Sequence, residues 1–302
     1  MATKPKTQQQ SSKKPETKKP DSKPEPKANV PAKVVKSVPT AVDDDMLAAM
    51  NADAGRGVST AAEDNIVPLI YILQAQSPQA LRQKTEYIQG AMAGMFWYRG
   101  TKDVVDGDEG IPVVLCHMNR IWIEWRPNRG GFVMRHGSER PEGAEWTPDP
   151  QNPKKGAWVL PNGNYVAETR EHVVMNIETG EAYVLPLSGS NHGAARQWMT
   201  SAKRKRIPGS DSRAPLWGYV WRLKTIARSN DDGDWFGVVV EEELDGDENH
   251  QTTWTLDGGK TYKDARQLNE DFEAGLKQSD QGDEQVDSTG DENDEGDEDT
   301  TL

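Results

Sequence analysis

The chain has 302 residues and a formal net charge of −13, and only 34% of its residues are hydrophobic. No apolar run approaches the roughly 18 residues of a membrane-spanning helix, and the Lys-rich N-terminus lacks the apolar segment of a secretory signal. A single cysteine, Cys116, excludes internal disulfides and Cys-rich zinc sites. We therefore expect a cytoplasmic protein with no membrane partner.

Charge is concentrated at the two ends of the chain. Residues 1–36 carry ten Lys against three acids, and residues 277–302 carry eleven acids against Lys277 alone. Neither segment has enough apolar side chains to offset the entropy lost on ordering. We expect a disordered Lys/Pro-rich arm over 1–58, a folded domain over 59–276 and a disordered acidic tail over the remainder.

The first half of the folded domain is predicted to be mostly strand. Apolar and β-branched residues over 66–75 predict a strand that Pro68 places at a sheet edge. Residues 94–99 predict a second strand, and 111–126 predict a long strand or a hairpin. The Pro-, Gly-, Asn- and Asp-rich segment 137–163 predicts a long surface loop.

The second half combines strands with two helices. Strands are predicted over 165–177, 182–187, 216–228 and 235–243. Ser190 and Asn191 can cap a helix that ends near Arg204, and a second helix begins at Thr261 and ends near Gly275. This order predicts a mainly β (α+β) domain, an OB-like barrel with an inserted helix and a C-terminal helix. A sandwich or another α+β sheet stays open, because a sequence does not show strand order in space.

No catalytic or metal-binding pattern stands out. Gly259-Lys260-Thr261 resembles the end of a phosphate-binding loop, but Trp254 occupies the position of its first glycine. Cys116 and His117 are neighbours on a predicted strand, where adjacent side chains point to opposite faces, so we expect no nucleophile–base pair there. We predict a non-enzymatic protein with no cofactor and no metal.

Residues 194–230 reverse the charge of the rest of the chain. This segment contains nine Lys and Arg residues and a single acidic residue, Asp211, and aromatic residues are interleaved with the cations. A smaller cluster of the same type lies within 120–135. Cations that follow a phosphate backbone, beside rings that stack on bases, are what single-strand binding requires. The predicted DNA-binding residues are Trp122, Trp125, Arg126, Arg196, Trp198, Lys203, Arg204, Lys205, Arg206, Trp217, Tyr219, Trp221, Arg222, Lys224, Arg228 and Trp235.

Both features of this cluster have a structural alternative. Trp217, Tyr219 and Trp221 share one face of a predicted strand, and such a stripe is also typical of a core face. Lys203–Arg206 would also suit a solvated helix end, where cations complement the helix dipole. The acidic tail can compete with nucleic acid for the basic residues or recruit basic partner proteins.

Three stretches carry a resemblance: IVPLIYILQAQSPQ (66–79), RQWM (196–199) and WGYVWRLKTIARSNDDGDWFGV (217–238). They resemble a tailed-bacteriophage family of single-stranded DNA-binding proteins, over about residues 55–243. The resemblance implies a phage replication or recombination accessory protein in the cytoplasm of an infected bacterium. The acidic C-terminus also resembles single-stranded DNA-binding proteins generally, but it lacks their aromatic tip and ends in Thr301-Leu302.

The leading hypothesis is sequence-tolerant binding and protection of single-stranded DNA during phage replication or recombination. The partners implied are single-stranded DNA and, through the acidic tail, replication or recombination proteins; self-association stays open. The alternative is a phage structural or assembly protein whose charged termini bind protein partners and whose Trp residues belong to the core.

Overall fold

The computed structural model describes residue 46 and residues 65–127, 131–150, 155–230, 233–246 and 248–280. Apart from Met46, the predicted arm over 1–58 lies outside the described residues. The predicted acidic tail lies outside them from residue 281 onward.

The described residues form thirteen strands and two α-helices. The strands are β1 (Ile66–Val67), β2 (Ile70–Ile72), β3 (Phe96–Tyr98), β4 (Val104–Val105), β5 (Ile111–Trp125), β6 (Phe132–His136), β7 (Glu145–Pro148), β8 (Gly156–Val159), β9 (Tyr165–Asn176), β10 (Ala182–Ser188), β11 (Val220–Asn230), β12 (Gly233–Glu242) and β13 (Gln278–Ser279). The helices are α1 (His192–Arg204) and α2 (Lys260–Glu273). The protein is therefore mainly β, as the sequence predicts.

The largest sheet has eight antiparallel strands around the long pair β5 and β9. On the far side of β5, β11 pairs with its first residues and β6 with its last, and β12 continues the sheet beyond β11. On the far side of β9, β10 and β8 pair with different parts of the strand, and β7 follows β8. No sheet closes on itself among the described residues, so the OB-like barrel is not confirmed.

Two smaller sheets flank the large one. β2, β3 and β4 form an antiparallel sheet, and β1 pairs in parallel with β13. The small sheet is attached at the β12 edge, where the Gln74 side chain exchanges two hydrogen bonds with the backbone of Phe236, at 2.8 and 3.0 Å. These hydrogen bonds satisfy edge groups that would otherwise stay unpaired.

The two helices cover opposite faces of the large sheet. Trp198 and Met199 of α1 pack with Leu185, Trp221 and Leu223 in one core cluster. Ala265 and Leu268 of α2 pack with Val114, Val173 and Val220 in another cluster. In both helices the apolar residues recur at a spacing of three to four, which gives each helix one buried side.

Three local features differ from the sequence prediction. The segment 137–163 is not one loop, because its residues include the short hairpin of β7 and β8. Residues Gln278–Ser279, which the sequence predicts to belong to the tail, form β13. A bulge at Cys116 interrupts the β5–β9 register between Leu115 and His117. No helix in the described part of the chain is long and apolar enough to cross a membrane.

Candidate nucleic-acid interface

Three of the four aromatic residues of the charge-reversed segment lie in the core. Trp198 and Trp221 are each 2% exposed, and Tyr219 is buried beside them. The Trp198 ring stacks on His172 with centroids 4.9 Å apart and meets Trp221 edge-on at 6.3 Å. Because protein covers these rings, the stacking role predicted for them is not supported, and the core alternative describes this stripe.

The other predicted rings are at most partly accessible. Trp122 is buried against Ala144 and Val166. Trp125, Trp217 and Trp235 are half-buried. Of these, Trp125 meets Phe132 edge-on at 6.1 Å, near the end of β5, where Arg126 is exposed. The structure therefore does not bring the predicted rings together as one stacking platform.

Three predicted cations are neutralised by consecutive acids at the end of β12. Arg222 donates two hydrogen bonds to Glu243, at 2.7 and 2.8 Å. Lys224 lies 2.8 Å from Glu241, and Lys205 lies 2.7 Å from Glu242. The hydrogen bonds to Glu243 raise the pKa of Arg222. Arg222 and Lys224 join β11 to the end of β12, and Lys205 joins the end of α1 to it, so these three cations offer little free charge to a ligand.

Lys205 also has an aromatic environment. Its Nζ lies 5.2 Å from the centroid of the Tyr219 ring and 5.8 Å from that of Trp221. An ammonium group near the rings of buried aromatic residues is stabilised by their quadrupoles. The surroundings of Lys205 are thus those of a structural residue.

A second group of cations is exposed and forms a continuous part of the chain. Arg196 and Lys203 are seven residues apart on α1, about two turns, so they lie on the same side of the helix. Arg206 and Arg213 face each other across the hairpin that follows, in an isolated antiparallel bridge. We call this group the basic surface: Arg196, Lys203, Arg204, Arg206 and Arg213.

Most of the basic surface lacks acidic partners. Within the described residues only Arg206 has an acidic neighbour, since its guanidinium donates to the backbone oxygen of Asp211 and lies 3.8 Å from its carboxylate. Arg204 leaves α1 on the side opposite its buried residues, and Arg196 and Lys203 lie at the border of the buried side. The predicted cations therefore divide into two groups. Lys205, Arg222 and Lys224 are neutralised by acids, whereas those of the basic surface are exposed. The structure adds Arg213, which is not among the predicted residues, to the exposed group.

Arg228 occupies a separate position at the sheet edge. It is half-buried, and its Nη2 donates a long hydrogen bond of 3.4 Å to the backbone oxygen of Val238. A side chain on Gly237 would collide with it, since an added Cβ would lie 2.7 Å from Arg228 Nε. Gly237 therefore leaves room for Arg228 to cross β12.

The structure also shows an exposed aromatic group that the sequence does not predict. Trp146 is 47% exposed and meets Trp158 edge-on at 5.5 Å, and the Arg140 guanidinium lies 3.7 Å above the Trp158 ring. These residues lie in or beside the hairpin inside the predicted loop. Their only sequence signal is a pair of Trp residues among Pro and Gly.

The bulge at Cys116 alters the geometry expected for Cys116 and His117. Both side chains contact the α2 side of the sheet, Cys116 within the core cluster and His117 through Asn269 at 3.0 Å. They do not point to opposite faces, because the extra residue breaks the alternation. Burial raises the pKa of the Cys116 thiol, which disfavours the reactive thiolate.

Comparison with known proteins places the chain in a phage family. It matches the family model of the Pam3 phage gp34-like protein over residues 37–278. The chain belongs to this family. No curated protein and no solved structure matches it. Family membership confirms the phage part of the resemblance, and it leaves DNA binding as a prediction.

Proposed function

We propose that this phage protein binds single-stranded DNA without sequence preference and protects it during replication or recombination. The observation that carries the proposal is the basic surface, five exposed cations on α1 and the following hairpin in a chain of net charge −13. A cationic surface in a protein of negative net charge attracts a polyanion locally.

The chemistry of the basic surface suits phosphate rather than bases. Arg and Lys side chains bind phosphate oxygens by charge-assisted hydrogen bonds, and Arg does so with a fork of donors. Such hydrogen bonds carry no sequence information, so the binding is sequence-tolerant. Base stacking falls to rings that are partly accessible, such as Trp125 and Trp235, since Trp198, Tyr219 and Trp221 belong to the core.

The proposed binding does not require a closed barrel. An OB-like arrangement stays a prediction, and the helix and hairpin bear the basic surface whether or not the sheet closes. The non-enzymatic character, the recruitment of replication or recombination proteins by the acidic tail, and the cytoplasm of the infected host as the location remain parts of the same proposal.

The test compares two sets of charge removals in the full chain. Replacing Lys203, Arg204 and Arg206 by Gln should weaken binding of a fluorescein-labelled oligo-dT at least tenfold. The slope of log K against log salt should fall by about 0.7 for each phosphate that the variant no longer neutralises. Fluorescence anisotropy measures both quantities.

The matched control removes strand cations that already have partners. Arg222→Gln and Lys224→Gln should change oligo-dT affinity little, because Glu243 and Glu241 neutralise these cations. Circular dichroism checks that every variant stays folded. Equal loss of affinity in both sets would reject the basic surface as the DNA-binding site.

The second candidate function is a structural or assembly role in the phage particle. The burial of Trp198, Tyr219 and Trp221 favours it, because the interleaved aromatics are then explained by packing alone. Under this alternative the charged termini of the chain bind protein partners. Anisotropy of a labelled oligonucleotide would then stay unchanged even at low salt.

A further inference from the structure

A cleft of about 300 Å³ lies between the start of α1 and the outer edge of β12. Gly193, Ala194, Gln197 and Trp198 line it from the helix, and Val238–Val240 line it from the strand. Arg228 reaches it from β11. The cleft is separate from the ion pairs at the other end of β12 and adjoins the helix that carries the basic surface.

Arg228 is positioned in the cleft by the absence of a side chain on Gly237. An added Cβ there would lie 2.7 Å from Arg228 Nε, 3.1 Å from its Cδ and 3.1 Å from Asn191 Oδ1. The Arg228 side chain can therefore lie flat across β12 and reach its outer edge. Among the described residues no carboxylate pairs with its guanidinium, in contrast to Arg222 on the same strand.

The outer edge of β12 adds a backbone donor. The N–H of Val238 donates to Asn191 Oδ1 at 3.0 Å, which identifies this side of the strand as the one not paired with β11. Two residues further, Val240 presents its N–H to the same side. Within the described part of the chain that N–H has no acceptor.

The helix adds one further feature of the same sign. The thirteen-residue α1 begins at the cleft, and its N-terminal end carries partial positive charge from the aligned peptide dipoles. Asn191, the residue before the helix, makes no side-chain capping bond. Trp198, 2% exposed, contributes to the wall of the cleft, and its buried indole Nε1 has no hydrogen-bond partner among the described residues.

From these features we propose that the cleft is a binding site for one phosphate group, occupied by a phosphodiester of the bound DNA strand. Arg228 supplies the charge, the edge of β12 supplies a backbone donor, and the N-terminal end of α1 adds the partial positive charge of its dipole. The assignment of the phosphate to a DNA strand rests on the proposed function. The anion site itself depends only on the cleft.

The anion site is tested with inorganic phosphate, titrated into the full chain at constant ionic strength with chloride as the balancing anion. Two-dimensional ¹H–¹⁵N NMR should show saturable shifts of the amides of Gly193, Ala194 and Val240 and of the Trp198 indole. Arg228→Gln should weaken this binding at least tenfold. Gly237→Ala should also weaken it, although it retains the charge, because the new methyl displaces the guanidinium.

The control is Arg82→Gln, which removes an exposed cation outside both the cleft and the basic surface and should leave the phosphate shifts intact. No saturable shift in the unmodified chain would overturn the site, and this result requires no variant to fold. Shifts that persist in Arg228→Gln would also overturn it.

A parallel titration with oligo-dT distinguishes the site from the proposed function. Binding of oligo-dT without any phosphate shift at the cleft would reject the cleft and leave the proposed function standing. Phosphate shifts without oligo-dT binding would reject the DNA source and retain an anion site. If both hold, Arg228→Gln should lower the salt slope of oligo-dT binding by about 0.7.

Discussion

Lys203 and Lys205 lie two residues apart, yet their surroundings differ completely. Lys203 is exposed on α1, whereas the Lys205 side chain is only 11% exposed, pairs with Glu242 and lies near two buried rings. The sequence places both in one basic run. It cannot separate them, because the partners of Lys205 lie on or next to β11 and β12, well beyond its own helix along the chain.

This difference predicts unequal effects on stability. Lys205→Ala should lower the free energy of unfolding by about 1–2 kcal/mol, because it removes a sheltered ion pair and the cation–ring interactions. Lys203→Ala should change it by less than about 0.5 kcal/mol. Urea unfolding followed by circular dichroism measures both. Equal effects would contradict the structural role assigned to Lys205.

His172 predicts a pH dependence of stability. Burial against Trp198 lowers the pKa of His172 to about 4, whereas an unfolded histidine has a pKa near 6.5. Between these values the unfolded chain binds the extra proton and the folded chain does not. Stability therefore falls as the pH decreases from about 6.5 to 4, by at most about 1.4 kcal/mol per pH unit from this residue.

Replacing His172 by Phe should remove this contribution, because the ring can still stack on Trp198 but cannot take up a proton. Urea unfolding at several pH values between 4 and 7 gives the slope for both proteins. The variant should show the flatter dependence. Identical slopes would mean that His172 is not the group responsible.

At the level of elements, one close approach joins the small sheet to β11. An added Cβ on Gly107 would lie 2.0 Å from Thr225 Oγ1 and 2.1 Å from the backbone oxygen of Gly94. The Thr225 hydroxyl donates to that same oxygen at 2.6 Å, and the Thr225 N–H donates to Gly107 O at 3.0 Å. Only glycine fits where these three segments meet.

Gly107→Ala should therefore cost at least about 2 kcal/mol of unfolding free energy, a magnitude typical of overpacking. Adding Thr225→Ala should recover only part of it, since the backbone oxygen of Gly94 remains in the way. Gly137→Ala is the matched control, because nothing lies within 4 Å of an added Cβ there. Thermal or urea unfolding measures these changes. A Gly107→Ala variant with an unchanged free energy of unfolding would contradict the close packing of these three segments.

The sequence predicts the long elements well and the short ones poorly. β5, β9 and α1 are long and contain many buried apolar residues, so their existence and approximate ends follow from the sequence, which leaves open only whether β5 is one strand or a hairpin. The β7–β8 hairpin has no such signal, since all four residues of β7 are exposed. The bulge at Cys116 cannot be predicted from residue types, because it depends on the register between β5 and β9.

The candidate site is predictable in part for the same reason. Period-two spacing predicts that Trp217, Tyr219 and Trp221 share one strand face. In the structure β11 begins only at Val220, so Trp217 packs against the core cluster on the α2 side, whereas Tyr219 and Trp221 lie in the cluster on the α1 side. The cationic run is visible in the sequence. Which cations are neutralised depends on Glu241–Glu243, and the register of β11 with β12 sets that pairing.

For the whole molecule, the decisive property is the contrast between a net charge of −13 and the exposed basic surface on the described part of the chain. Such a distribution orients an incoming polyanion toward α1 and its hairpin, and the attraction weakens as salt screens it. A protein that binds only through this surface should be strongly salt-sensitive. A protein that uses the same residues against a protein partner need not respond to DNA at all.

The most direct test of DNA binding by the basic surface is an anisotropy titration of the full, unmodified chain against labelled oligo-dT and a duplex of equal length, over a range of salt. We predict tighter binding to the single strand, with a log–log salt slope of about 3.5 if all five cations of the basic surface neutralise phosphates. Absence of binding at low salt, or an affinity that salt does not change, would contradict it.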